Sequence, residues 1–176
     1  MQTDIKFIIK HISGKRDLPR VVLDKILVIL KSRHKEKESG EEKVCLKMYL
    51  NKNIGRFGNI NILLFSPKYK VFFVINLRFP RTKLRLNHYP YHVNVRKQIR
   101  RLSNFLSAIS SQEKETGNNK PKNILHVDIY GLTWCQLKEE DRVLPSIFSV
   151  KGLAVNRNKF SFCTNRNLNN IMFFTI

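Results

Sequence analysis

Between Val44 and Gln112 the chain runs for sixty-nine residues without one Asp or Glu while carrying thirteen Lys and Arg. A stretch of that kind is either a disordered basic tail or a folded body with a cationic face, and its apolar content decides between them. Ile62, Leu63, Leu64, Phe65, Val71, Phe72, Phe73, Val74, Ile75 and Leu77 crowd its middle too densely for a tail. The charge therefore sits on a folded scaffold. Over the whole chain 33 basic residues face 13 acidic ones, a net charge of +20 on 20.8 kDa. Such a body repels itself unless a polyanion screens it, which points to RNA, DNA or an anionic lipid surface as partner.

A length of 176 residues suits one domain, 1–176, and the polar run 112–122 with Gly117-Asn118-Asn119 and Pro121 is the candidate subdomain break. Cys45, Cys135 and Cys163 are odd in number, widely spaced and without a CxxC pair, so they read as small buried hydrophobes of a reducing compartment rather than a disulfide or zinc framework. The start Met1-Gln2-Thr3-Asp4 lacks the pattern of a secretory signal or a myristoylation site. No apolar run reaches the roughly 18 to 20 residues of a membrane span, so contact with a membrane is expected to be peripheral.

Alternation and helical spacing lay out the elements. Ile5 to Ile12 reads as a short strand ended by Gly14, and Leu18 to Arg33 as a helix capped by Asp17, apolar almost all round and hence buried on most sides. Arg33 to Lys43 reads as a solvated loop. Strands are expected at Val44–Leu50, Ile60–Phe65 and Tyr69–Phe79, the last two joined by Ser66-Pro67-Lys68 and the last with both faces covered until Arg78. Arg81–Leu86 alternates with Arg81, Lys83 and Arg85 outward. A second helix, about Val93 to Ser111, sets Val95, Ile99, Leu102, Leu106 and Ile109 on one side and Arg96, Lys97, Arg100, Arg101 and Asn104 on the other. Strands follow at Asn123–Tyr130, Ile147–Val150, Leu153–Val155, Phe160–Cys163 and Ile171–Ile176. The expected fold is α+β: one antiparallel sheet packed on a buried N-terminal helix, with a second, basic amphipathic helix.

No catalytic constellation emerges. Glu139, Glu140 and Asp141 read as a solvated turn, and Pro90 denies His88 and His92 the helical geometry of a chelating pair. Gly55-Arg56-Phe57-Gly58 lacks the Lys-Ser/Thr ending of a phosphate loop. The chain thus reads as non-enzymatic, with no metal and no cofactor. The basic motif is the candidate site: Arg78, Arg81, Lys83, Arg85, Arg96, Lys97, Arg100 and Arg101 supply cations, and Tyr89 and Tyr91 lie in the loop between them. Cations beside accessible aromatics suit single-stranded nucleic acid, whose phosphates are neutralised and whose bases stack; the same cations suit an anionic membrane.

The order of a strand (Ile5–Ile12), a helix (Leu18–Arg33), strands (Val44–Leu50, Ile60–Phe65, Tyr69–Phe79), a basic segment and further strands resembles the layout of rhabdovirus matrix proteins, those of plant-infecting members above all. The resemblance covers roughly the first half of the chain and rests on layout, size and charge. The chain has no PPxY motif, and Tyr89-Pro90-Tyr91-His92-Val93 only approximates a YPxL-type one. The resemblance implies a structural protein of the virion that self-associates and bridges ribonucleoprotein and an anionic membrane, located in virion, host cytoplasm or at the membrane periphery. The alternative is an organellar or divergent ribosomal protein binding ribosomal RNA.

Overall fold

The computed structural model describes residues 5–33, 40–78, 91–115, 124–135 and 152–163. Their order is β1 (Ile5–Ser13), α1 (Arg20–Arg33), β2 (Glu42–Asn53), a 3-10 turn (Gly55–Phe57), β3 (Asn59–Ser66), β4 (Val71–Arg78), α2 (Tyr91–Glu115), β5 (Ile124–Cys135) and β6 (Gly152–Cys163). The six strands form one sheet in sequence order, β1-β2-β3-β4-β5-β6. The β1/β2 and β4/β5 pairs are parallel, and β2/β3, β3/β4 and β5/β6 are antiparallel.

The expected antiparallel sheet on an N-terminal helix is therefore corrected on two counts. The first element is a strand, and the sheet is mixed. The reason lies in the connections: a strand that returns to its own sheet through a helix arrives parallel to where it left, whereas short turns reverse direction. α1 joins β1 to β2 and α2 joins β4 to β5, so those two pairs are parallel. The strand pattern alone, rich in hairpins, conceals this.

The two helices cover opposite faces. Val22, Ile26, Ile29 and Leu30 of α1 pack with Ile5, Val44, Leu46, Met48, Ile62, Leu64, Phe73, Leu132 and Trp134. Val95, Ile99, Leu102, Phe105, Leu106 and Ile109 of α2 pack with Tyr49, Leu63, Phe65, Phe72, Val74, Val127 and Ile129. Alternate residues of each strand divide between the two cores, as the two-residue period of a strand demands. Both crossovers step the same way along the sheet from strands of the same direction, yet their helices lie on opposite sides. They are consequently of opposite hand, and one departs from the usual right-handed rule.

Element bounds shift modestly. α1 begins at Arg20, after Pro19, whose carbonyl accepts from the Val22 and Leu23 N–H groups at 2.9 and 3.2 Å. It is buried on one side only: Val21 and Val28 are exposed, against the expectation of a helix enclosed almost all round. α2 is longer than expected at both ends. The two runs Leu153–Val155 and Phe160–Cys163 are one continuous strand, β6, paired with β5 along its whole length. The expected strands Arg81–Leu86, Ile147–Val150 and Ile171–Ile176 lie outside the described residues.

Candidate polyanion interface

All four parallel strands, β1, β2, β4 and β5, point their carboxyl ends the same way, and the helices that follow β1 and β4 begin there. That end of an open sheet is where ligands of α/β proteins usually sit, because helix N-termini and connecting loops converge on it. In this chain it gathers cations. Lys15 and Arg16 follow β1, Lys52 ends β2, Arg56 sits in the 3-10 turn, Arg78 closes β4 opposite Cys135, and Arg96, Lys97, Arg100 and Arg101 lie in the first half of α2. The carboxylates at this end, among the described residues, are Asp17 in the connection to α1 and Asp24 on α1 itself.

The 53–59 turn ties this rim to α2. The Gly55 N–H donates to Asn53 Oδ1 at 2.7 Å, the Ile54 N–H to the Gly58 carbonyl at 2.9 Å, and the Gly58 N–H to the Gly55 carbonyl at 3.0 Å. Gly58 has φ +100°, which a side chain rarely adopts, and a Cβ there would sit 3.3 Å from Arg101 Nε. Arg101 lies across this glycine and donates to the Asn59 carbonyl at 3.0 Å. Phe57 meets Phe105 of α2 edge to face at 6.2 Å between centroids, and the Arg56 guanidinium stands over the Phe57 ring at 5.0 Å. A little deeper, the buried Gln98 accepts from the Asn61 N–H at 2.8 Å, locking α2 to β3. α2 therefore holds its cations at a fixed height above the sheet.

Arg96, Lys97, Arg100 and Arg101 are exposed, in two columns of i,i+4 spacing, Arg96/Arg100 and Lys97/Arg101. The bond from Arg101 to Asn59 turns that side chain toward the start of β3. Of the remaining sequence-derived site residues, Arg78 and Tyr91 are placed at the end of β4 and the start of α2, and Arg81, Lys83, Arg85 and Tyr89 lie outside the described residues. The sequence reading passed over Lys15, Arg16, Lys52 and Arg56. The signal for Arg56 was its place between two glycines, which had been weighed only as a phosphate loop.

The opposite end of the sheet has a different character. Lys6 pairs with Glu41, Lys68 with Glu42, and Arg33 with Asp128. The Tyr69 hydroxyl also donates to Glu42, with Oε2 at 3.0 Å. The acids of the described strands thus answer bases at the amino ends, and among the described residues the carboxyl end carries more cations than carboxylates. Among the described residues no group of three His, Cys, Asp or Glu could hold a metal ion, and no helix is long and apolar enough to cross a membrane. No family model matches this chain, nor does any curated protein or solved structure.

Proposed function

We propose that this protein is a non-enzymatic structural protein that binds RNA, free or as ribonucleoprotein, through the cationic carboxyl end of its sheet. The observation that carries the reading is the crowding of cations at the carboxyl end, Lys52, Arg56, Arg96, Lys97, Arg100 and Arg101 around one turn and helix, where the carboxylates among the described residues are Asp17 and Asp24, while the acids of the described strands pair with bases at the other end. Arginine fits the role because its planar guanidinium meets phosphate oxygens in pairs and stacks on flat rings. An array of this kind binds phosphates at any sequence, with an affinity set by counterion release and hence by salt.

The test is the quadruple variant Arg56, Arg96, Lys97 and Arg100→Glu. Arg101 is kept, because its bond to Asn59 and its place over Gly58 make it part of the fold. Anisotropy titrations with a 20-nucleotide RNA across a salt series should show affinity about a hundredfold lower and a log–log salt slope smaller by about three, at roughly 0.7 per lost contact to a single strand. Circular dichroism should stay as in the parent, and the thermal midpoint should not fall, since the variant carries less excess positive charge. Unchanged RNA binding by a folded variant overturns the proposal. Loss of flotation on anionic vesicles with RNA binding intact would assign the rim to lipid instead.

A further inference from the structure

α2 packs over the β3 to β6 side of its face of the sheet, and Tyr49 is the one residue of β2 in the core beneath it, so among the described residues nothing covers β1 and the first half of β2 on that face. The residues that line the opening follow from register. β1 and β2 run parallel with Lys6 opposite Lys43, Ile8 opposite Cys45 and Lys10 opposite Lys47. Ile5, Phe7 and Ile9 of β1 and Val44, Leu46 and Met48 of β2 belong to the core under α1, which turns all six of these intervening side chains to the other side. Ile8 is 56% exposed and Cys45 is exposed.

Two lysine pairs thus lie directly opposite one another on neighbouring strands. Their rows are roughly 13 Å apart along the strands and their members about 4.8 Å apart across them. Like charges set opposite in a sheet weaken it. Glu41 answers Lys6 at the amino end, and no other carboxylate of β1 or β2 points to this face, since Glu42 turns to Lys68 and Tyr69. The lane leads toward the rim: Lys47 is opposite Phe65, Lys52 stands over the Tyr49 ring at 5.7 Å, and Arg101 of α2 is held on the Asn59 carbonyl, where β3 pairs with the end of β2.

We infer that this open lane of β1 and β2 is the continuation of the RNA site, a track of lysines that carries the phosphate backbone away from the rim. The inference rests on the proposed RNA binding and adds a path and a mode. The mode follows from what the lane lacks. Its described side chains include no exposed aromatic, Tyr49 being buried, so bases have nothing to stack on and recognition is by phosphates alone. Lysine, a compact charge on a flexible stem, suits such contacts without fixing a register. Duplex RNA should accordingly bind at least as well as a single strand of equal length.

The test is the variant Lys10 and Lys43→Gln, with Lys6 left on Glu41 and Lys47 kept, compared with the rim variant above. Duplex RNA binding should lose about two units of salt slope, at roughly 0.9 per phosphate contact. In the parent protein the same duplex at about ten times Kd should slow alkylation of Cys45, read on its own peptide by mass spectrometry, about tenfold. If the rim variant loses RNA while the lane variant keeps the parent's slope and Cys45 stays reactive, the lane is no part of the site and the proposed function stands. If neither variant alters RNA binding, both readings fall. A lane variant that leaves anionic vesicles yet keeps its RNA slope would overturn the inference in favour of lipid.

Discussion

Tyr49 sits at the seam between core and site. Its ring packs under α2 with Lys52 above it, and its hydroxyl is buried with no hydrogen-bond partner. Burial raises its pKa above the ordinary 10.0, because the charged phenolate is the form that loses most by leaving water. A raised folded-state pKa means that the contribution of this group is fully present below about pH 10 and is lost as pH climbs through the folded value, since the unfolded chain ionises first. Tyr49→Phe should therefore leave stability within about 1 kcal/mol of the parent at pH 7, as the lost hydroxyl bonds to nothing. In urea melts, the difference between parent and variant should move in the variant's favour above pH 10. A constant difference from pH 7 to 11 would place the phenol in contact with water. At this scale the sequence was half legible. Exposure of Arg96, Lys97 and Arg100 follows from helical period, but the duty of Arg101 on the Asn59 carbonyl and of Gln98 on Asn61 depends on contacts 42 and 37 residues away.

The elements show why local pattern reached the strands but not their assembly. The hairpin of β3 and β4 was readable because both strands are dense in β-branched and aromatic residues and the turn between them is short. The Ser66 Oγ accepts from the Tyr69 N–H at 3.3 Å and Lys70 takes φ 54° to close it. Parallel pairing is set instead by where a crossover helix lands, which depends on the whole sheet. One long-range clamp fixes that landing for α1. Arg33, in its last turn, pairs with Asp128 of β5 and donates to the Tyr69 carbonyl at 3.4 Å, so the helix that leaves β1 is anchored across the sheet. Arg33→Ala would leave Asp128, 7% exposed, without that partner. We expect a loss of about 2 to 3 kcal/mol in chemical denaturation, below the full range for a buried pair because the Arg33 side chain keeps 23% exposure. The double variant Arg33→Ala, Asp128→Ala should lose less than the sum of the two single losses. Strict additivity would mean that the pair does not couple α1 to β5.

For the whole molecule the governing quantity is the net charge of +20, and salt acts on it in two opposing ways. Screening weakens attraction in the ion pairs and repulsion among the excess cations. The surface pair Lys6–Glu41 is worth about 0 to 1 kcal/mol, while Lys68–Glu42 and Arg33–Asp128 have partly buried carboxylates and are less screened. Little attraction is thus available to lose. The repulsion spans the rim and the lane: at 0.01 M salt a Debye length of about 30 Å leaves these charges interacting across both, and at 0.15 M the roughly 8 Å length confines the repulsion to nearest neighbours. Thermal midpoints should therefore rise between those salt concentrations, by some 2 to 4 °C for each 1 kcal/mol of relieved repulsion. A short polyphosphate at matched ionic strength should raise them further, since a ligand that binds only the folded chain adds its own stabilisation by mass action. The added increment should shrink in the rim variant and again when Lys10 and Lys43 are replaced by Gln. A midpoint that falls with salt would put the balance with the ion pairs, and a polyphosphate effect no larger than that of sodium chloride would reduce the cationic end to a charged surface without a site.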